Sequence, residues 1–206
     1  MNNNTNAILG KLAAASLERC LLRLSRVSAG TWQILELKVF SGSAADALSH
    51  HDFTNPASAV YFNLGSRSDI TALMLFNRAD MESISKGFTG HSFPRGERTS
   101  PAEEIMLLEL GNIVMNALAN SVLNALKKSS MPAVPQFVEG YAARLAKALE
   151  AVTDLSREFR IIKATVAIRC DNTAVTNSEV FALVPAGLVS ELESPLPQPG
   201  KVEPLK

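Results

Sequence analysis

Cysteine and histidine are scarce in this 206-residue sequence, with two of the first and three of the second. Cys20 and Cys170 form neither a CxxC pair nor a metal-type spacing. That argues against a disulfide-stapled scaffold and a zinc module, and two reduced, packed thiols are expected, a single disulfide being the alternative. His50 and His51 are adjacent and followed by Asp52, but neighbouring side chains point apart and no further His or Cys lies near them in sequence, so these residues and His91 are read as polar loop positions rather than metal ligands.

An excess of charge of one sign is also missing. Twenty basic residues balance twenty acidic ones, so no overall field draws the chain to nucleic acid or to an anionic membrane, and any partner has to be found by a local patch. There is no G-x-S-x-G, P-loop or G-x-G-x-x-G, which removes the common hydrolase and nucleotide-binding signals. The opening MNNNTNAILG has no Lys or Arg, so no secretory signal is expected and the cytoplasm is the expected location. The longest apolar stretch, Ile105 to Leu126, is interrupted by Glu109, Asn112, Asn116, Asn120 and Asn124. One carboxylate at a bilayer centre costs about 2.5–3.5 kcal/mol, so the stretch is read as a helix of a folded domain and not as a membrane span.

What is present describes an ordinary globular chain. Hydrophobic residues make up 47% and charged ones 19%, which is enough to bury a core and outside the regime of disordered sequences. Ile8, Leu9, Leu12, Leu17, Cys20, Leu21, Leu24 and Val27 recur at three- and four-residue steps and predict a helix from Thr5 that Gly30 ends. Residues 31–40, 57–64 and 69–76 are rich in β-branched, aromatic and aliphatic side chains between Gly, Ser, Asn and Pro, and read as strands. Trp32 is expected in the core. Asn77 reads as the N-cap of a short helix with Asp80 in its first turn and Gly87 as its stop, followed by an exposed connection up to Ser100.

Ser100-Pro101-Ala102-Glu103 has the form of a capping box with proline at the first helical position, opening a helix to Lys128 whose two lysines suit the negative end of the dipole. Pro132 and Pro135 enforce an extended segment, and a helix over 141–152 follows with Ala143, Leu145, Ala146, Leu149 and Val152 on its apolar face. Strands over 159–170 and 178–185 are joined by Asp171-Asn172-Thr173 and should pair antiparallel. These elements describe an α/β (α+β) chain with one domain over 1–190, a first half over 5–90 and a second over 100–190. The order of strands looks different in the two halves, so a duplication is only suggested. The tail, 191–206, has four prolines and is expected to be loosely ordered.

On a helical wheel Glu109, Asn112, Asn116, Asn120 and Asn124 fall within an arc of about 120° on an otherwise apolar rod. Asparagine competes with the helix backbone and is a poor choice for an ordinary solvated face. The row either bonds to neighbouring strands and water or forms a surface with a task.

Glu109-Leu110-Gly111-Asn112, followed by 22 residues and Pro135, matches the E-x-x-N-x22-P signature of the CheC/CheX-type chemotaxis phosphatases. The family's helix usually reads E-I-G-N, and Gly111 stands at its glycine. Over residues 5 to 190 the order of elements also resembles the family, including the strand Leu-Met-Leu-Phe-Asn-Arg, residues 73 to 78, that enters a helix. Two departures stand out. Ile105 occupies the position where the longer signature has Asp or Ser, and the first helix offers only Glu18-Arg19-Cys20-Leu21, with leucine where the Asn would be, so no first-half site is expected and Glu18 reads as a surface residue.

The resemblance implies a CheC-like fold: a central, mostly antiparallel sheet carrying two long helices, in two pseudo-repeated halves. It implies a phosphatase acting on the aspartyl phosphate of a CheY-like response regulator in chemotaxis or two-component signalling. Asn112 would hold the attacking water, and Glu109 would pair with the regulator's lysine. Asn116 and Asn120 would extend the docking face, with Gly111 and Pro135 as structural marks. No cofactor or metal is expected in this chain, Mg²⁺ being the regulator's. The alternative is a non-catalytic adaptor that docks a response regulator, a flagellar switch component or a CheD-like deamidase. Homodimerisation stays open.

Overall fold

The computed structural model describes residues 3–65, 70–94, 96, 98–130, 134–170 and 175–193. The chain opens with helix α1 (Asn3–Val27), then β1 (Thr31–Gly42), α2 (Ala44–Ser49), β2 (Ala57–Leu64) and β3 (Ile70–Asn77). A single 3-10 turn, Arg78–Asp80, leads into α3 (Met81–Thr89). The second half runs α4 (Pro101–Ala125), β4 (Gln136–Gly140), α5 (Ala142–Leu149), β5 (Phe159–Arg169), β6 (Thr176–Pro185) and α6 (Ala186–Glu193).

All six strands join one sheet in the order β1-β5-β6-β3-β2-β4, every neighbouring pair antiparallel. Exchanging the halves, so that β1, β2 and β3 trade places with β4, β5 and β6, turns this order into its own reverse. Each half also has the same succession of a long helix, a strand, a short helix, two strands and a closing helix. The expectation that the halves order their strands differently is therefore corrected. The short helix α2 in the first half, and the short strand β4 and closing helix α6 in the second, are the elements that a reading by apolar runs passed over.

Helices cover both faces of the sheet. On one face, α1, α3, α4 and α6 pack over Val60, Phe62, Ala72, Met74, Ile162, Val166, Val180 and Ala182 in one core cluster. On the other, α2 and α5 cover a smaller cluster that includes Ala59, Leu73, Leu75, Leu145, Leu149, Ile161 and Phe181. Sandwiching explains the near-continuous burial of β2, β3 and β6, because an inner strand covered on both faces cannot alternate with water. The edge strand β1 is largely exposed or half-buried and has a register irregularity between Ile34 and Glu36, of the kind that spoils an edge for pairing with another chain. Trp32 is buried, and its indole Nε1 donates to Ser28 Oγ at 2.8 Å.

Several boundaries differ from the sequence expectation. Gly87 does not stop α3; it is buried within the helix, where a Cβ would sit 2.7 Å from Ile168 Cγ2. The stop is Gly90, at φ 84°, a left-handed conformation that costs glycine nothing. Helix α1 ends at Val27, and Gly30 lies beyond it, its N–H donating to Gly87 O at 2.6 Å. Helix α4 ends at Ala125 and not at Lys128, because Lys127 turns left-handed (φ 53°) and the Lys128 N–H returns to Leu123 O at 2.9 Å. At the expected tail, α6 runs through Glu193. Asp69, Pro132, the Asp171-Asn172-Thr173 connection and positions 194–206 lie outside the described residues.

Candidate functional site

Helix α4 is held by its ends and by one close contact. At its start Ser100 accepts from the Glu103 N–H at 3.3 Å while Glu103 accepts from the Ser100 N–H at 2.7 Å, the reciprocal cap expected from the sequence. A second device is visible only in three dimensions. Arg78, in the turn that follows β3, donates to Thr99 Oγ1 at 2.8 Å and lies 3.1 Å from Glu139 Oε1 on β4, while the Thr99 N–H donates to Glu139 Oε2 at 3.0 Å. Arg78 thereby ties the residue before the cap to the edge strand.

Gly111 sets how the helix is rotated. It is buried against β2, and a Cβ there would sit 2.8 Å from Val60 Cγ1 and 2.9 Å from Val60 Cβ. Only a residue without a side chain allows this approach. At about 100° per residue, a helix with Gly111 facing the sheet carries Asn112 about 100° away and Glu109 about 160° away, so both leave the core on the same side. Val60 is paired across the sheet with Phe137, two residues after Pro135. Pro135 is half-buried at the entry to β4. The glycine and the proline of the motif are thus joined through one valine.

Glu109, Asn120 and Asn124 are exposed, and Asn112 and Asn116 are half-buried. Ile105, one turn before Glu109 on the same side, is 64% exposed. Asn116 Nδ2 donates to Asn112 Oδ1 at 2.7 Å, which occupies one lone pair of Asn112 and leaves its NH2 without a protein partner among the described residues. Ile113, although apolar, is 40% exposed, because it faces the gap between two helices and not the sheet.

That gap lies between α4 and α1. Ser16 Oγ donates to Ala117 O at 2.7 Å and Cys20 Sγ to Ile113 O at 3.7 Å. Four residues forward on one helix matches four back on the other, so the two run antiparallel. Between them is a groove of about 510 Å³ lined by Arg19, Cys20, Arg23, Ile113, Asn116 and Asn120, among others. Burial pushes the Cys20 thiol up, against a smaller downward pull from Arg23, the direction that disfavours the thiolate. Cys20 and Cys170 are both thiols and are not bridged to each other. In the first half, Glu18 is exposed, but Leu21, at the position where the motif has Asn, is buried, so α1 presents no acid and amide pair.

Helix α4 is long and apolar enough to cross a membrane by composition, yet twelve of its residues are buried inside the fold. The apolarity is that of a core helix. Among the described residues no three His, Cys, Asp or Glu side chains converge as a metal site would require. His51 lies in the bend after α2, a loop position as expected, but it is not an exposed one. Its side chain is only 8% exposed, with Nδ1 2.5 Å from Glu179 Oε2, while Lys163 Nζ lies 2.7 Å from Glu179 Oε1. This cluster stands on the α2/α5 face of the sheet, away from α4. His50 and His91 are exposed.

No protein-family model matches the sequence, and a search of the curated proteins finds no match. Solved structures do match. FliY from Thermotoga maritima shares 11% identity over 94% of this chain and 96% of its own, with a TM-score of 0.68. A chain of the FliG–FliM complex from H. pylori shares 11% identity over 94% and 100%, at 0.65, and the FliM middle domain from H. pylori 12% over 93% and 99%, at 0.64. At such identities the likeness is one of fold, and it extends over nearly the whole of each chain. With its single antiparallel sheet, its repeated halves and its two long helices side by side, this protein has the CheC-like fold.

Proposed function

We propose that the protein accelerates hydrolysis of the aspartyl phosphate of a CheY-like response regulator. The observation that carries this reading is the pairing of an exposed Glu109 with Asn112 on one outward ridge of α4, one turn apart, with the intervening Gly111 turned into the sheet. The regulator holds the phosphoryl group and its Mg²⁺, and what it lacks is an oriented water. A neutral carboxamide can hold that water in line without repelling the phosphoryl anion. The water oxygen bonds to phosphorus as the bond from phosphorus to the aspartyl oxygen breaks, releasing the carboxylate and inorganic phosphate, with one proton of the water lost to solvent. Glu109 pairs with the regulator's lysine and sets the register of docking. On this reading the protein works in the cytoplasm.

The test is phosphate release from a phosphorylated CheY-like regulator. Asn112→Ala should bind like the wild type and lower the accelerated rate by about 100-fold or more, the effect of losing a positioned reactant. Equal rates for the two proteins would refute the assignment. Glu109→Ala should weaken binding as well as turnover, because an interfacial ion pair loses one partner.

A second reading, an adaptor without turnover, is favoured by two observations. Ile105 puts an exposed apolar side chain where the motif has Asp or Ser, and the fold matches FliY and FliM domains, FliM being found in complex with FliG. An adaptor would bind a regulator, a flagellar switch component or a CheD-like partner and leave phosphate release unchanged.

A further inference from the structure

The protein is neutral as a whole, but α1 is not. Over residues 3–27 it carries Lys11, Arg19, Arg23 and Arg26 against one carboxylate, Glu18. Arg19, Arg23 and Arg26 are exposed, and none of the ion pairs among the described residues involves them. Arg19 spends its Nε on the Ala15 carbonyl at 3.0 Å, within its own helix, which leaves the terminal nitrogens of the guanidinium outward. Arg19 and Arg23 line the same groove as Asn116 and Asn120. The amide ridge of α4 thus has a cationic wall beside it, and the groove between them offers donors on both sides with Ile113 among its lining residues.

Resting on the reading above, we infer that Arg19 and Arg23 form a second contact zone that receives acidic side chains at the rim of the regulator's phosphoryl pocket while the α4 ridge enters it. The argument is charge complementarity. A pocket that holds Mg²⁺ is built from carboxylates, so the surface that approaches Glu109 and Asn112 is anionic around its mouth. Guanidinium groups match carboxylates in planar, two-pronged geometry, which an ammonium does not. The zone also supplies attraction that Glu109 alone cannot, since a ridge whose one charge is negative would be repelled by an acidic rim.

The test measures binding, not turnover. The probe is a CheY-like regulator of the same organism loaded with beryllofluoride and Mg²⁺, titrated at low and high ionic strength. Arg19→Glu/Arg23→Glu should lose about 10- to 100-fold in affinity at low salt, with the loss shrinking at high salt as screening removes the repulsion. Arg19→Lys/Arg23→Lys should fall between that variant and the wild type. Thermal unfolding of each variant checks the fold, and Arg23→Gln alone gives the same reading if the double reversal fails to fold. Unchanged affinity and salt dependence in the reversal would overturn the inference while regulator binding by the wild type leaves the phosphatase reading standing. A wild type that binds no regulator would overturn both.

Discussion

Asn116 donates its side-chain amide to Asn112 Oδ1 at 2.7 Å, across one turn of α4. The bond holds the Asn112 carboxamide in one orientation, with its NH2 free to meet a visitor. On the proposed phosphatase reading, this bond gives Asn116 a positioning role, distinct from contact with the partner. Asn116→Ala should lower kcat for phosphate release by about 10-fold, by letting the reacting geometry loosen, with KM little changed and stability within about 0.5 kcal/mol of the wild type. A change in KM alone would mean that Asn116 only touches the partner.

Gly111 offers a test of how closely α4 lies on the sheet. Alanine is ordinarily the better helix former by about 1 kcal/mol, but its Cβ would have to occupy space 2.8 Å from Val60 Cγ1. Overpacking should win, and Gly111→Ala should destabilise the protein by about 1–3 kcal/mol in urea unfolding. Adding Val60→Ala should recover part of that loss, a coupling that a double-mutant cycle reads directly. Additive effects would show that the helix relaxes away without cost.

Arg78→Met removes the guanidinium that bridges Thr99 Oγ1 and Glu139 Oε1. It leaves a half-buried carboxylate with the Thr99 N–H as its remaining bond among the described residues. A loss of about 1–3 kcal/mol is expected, together with faster amide exchange in the first turn of α4 than in its middle. Uniform acceleration along the helix would show that Arg78 supports the whole fold rather than this end.

Glu179 gives a pH dependence with a defined sign. Burial alone would push its carboxyl up, but the hydrogen bonds from His51 and Lys163 and their charges outweigh it, and the net displacement is downward. A carboxyl lowered in the folded state contributes stability above its unfolded value, about 4.3, and loses that contribution as the pH falls through the lower folded value. Glu179→Gln should therefore be less stable than the wild type near neutrality, with the two curves converging as the pH falls below the unfolded value and through the folded one. A difference that persisted unchanged in acid would assign the effect to packing instead of charge.

Much of this architecture is local and was legible in the chain. The three- and four-residue steps of α1, the Ser100 and Glu103 cap, and the apolar runs of β2, β3, β5 and β6 are short-range signals, set by backbone hydrogen bonding and by which side chains avoid water. The acid and amide of the candidate site were legible for the same reason, since a helical wheel places Glu109 and Asn112 together whatever surrounds them. Short elements were harder to see: α2 is only six residues long and β4 five, and each is made regular by what it packs against or pairs with.

The sequence by itself determined that an acid and an amide share one stripe of a long helix, because helical periodicity is a property of the chain alone. Which way that stripe points was decided by tertiary packing, where Val60 leaves no room for a side chain at Gly111 and so turns Glu109 and Asn112 outward. The symmetry of the strand order, the Arg78 tie, the His51 and Glu179 pair and the arginine-lined groove beside α4 belong to the same class. Each depends on residues tens of positions apart meeting at a few ångströms, and separation along a chain carries no information about such meetings until the core has closed.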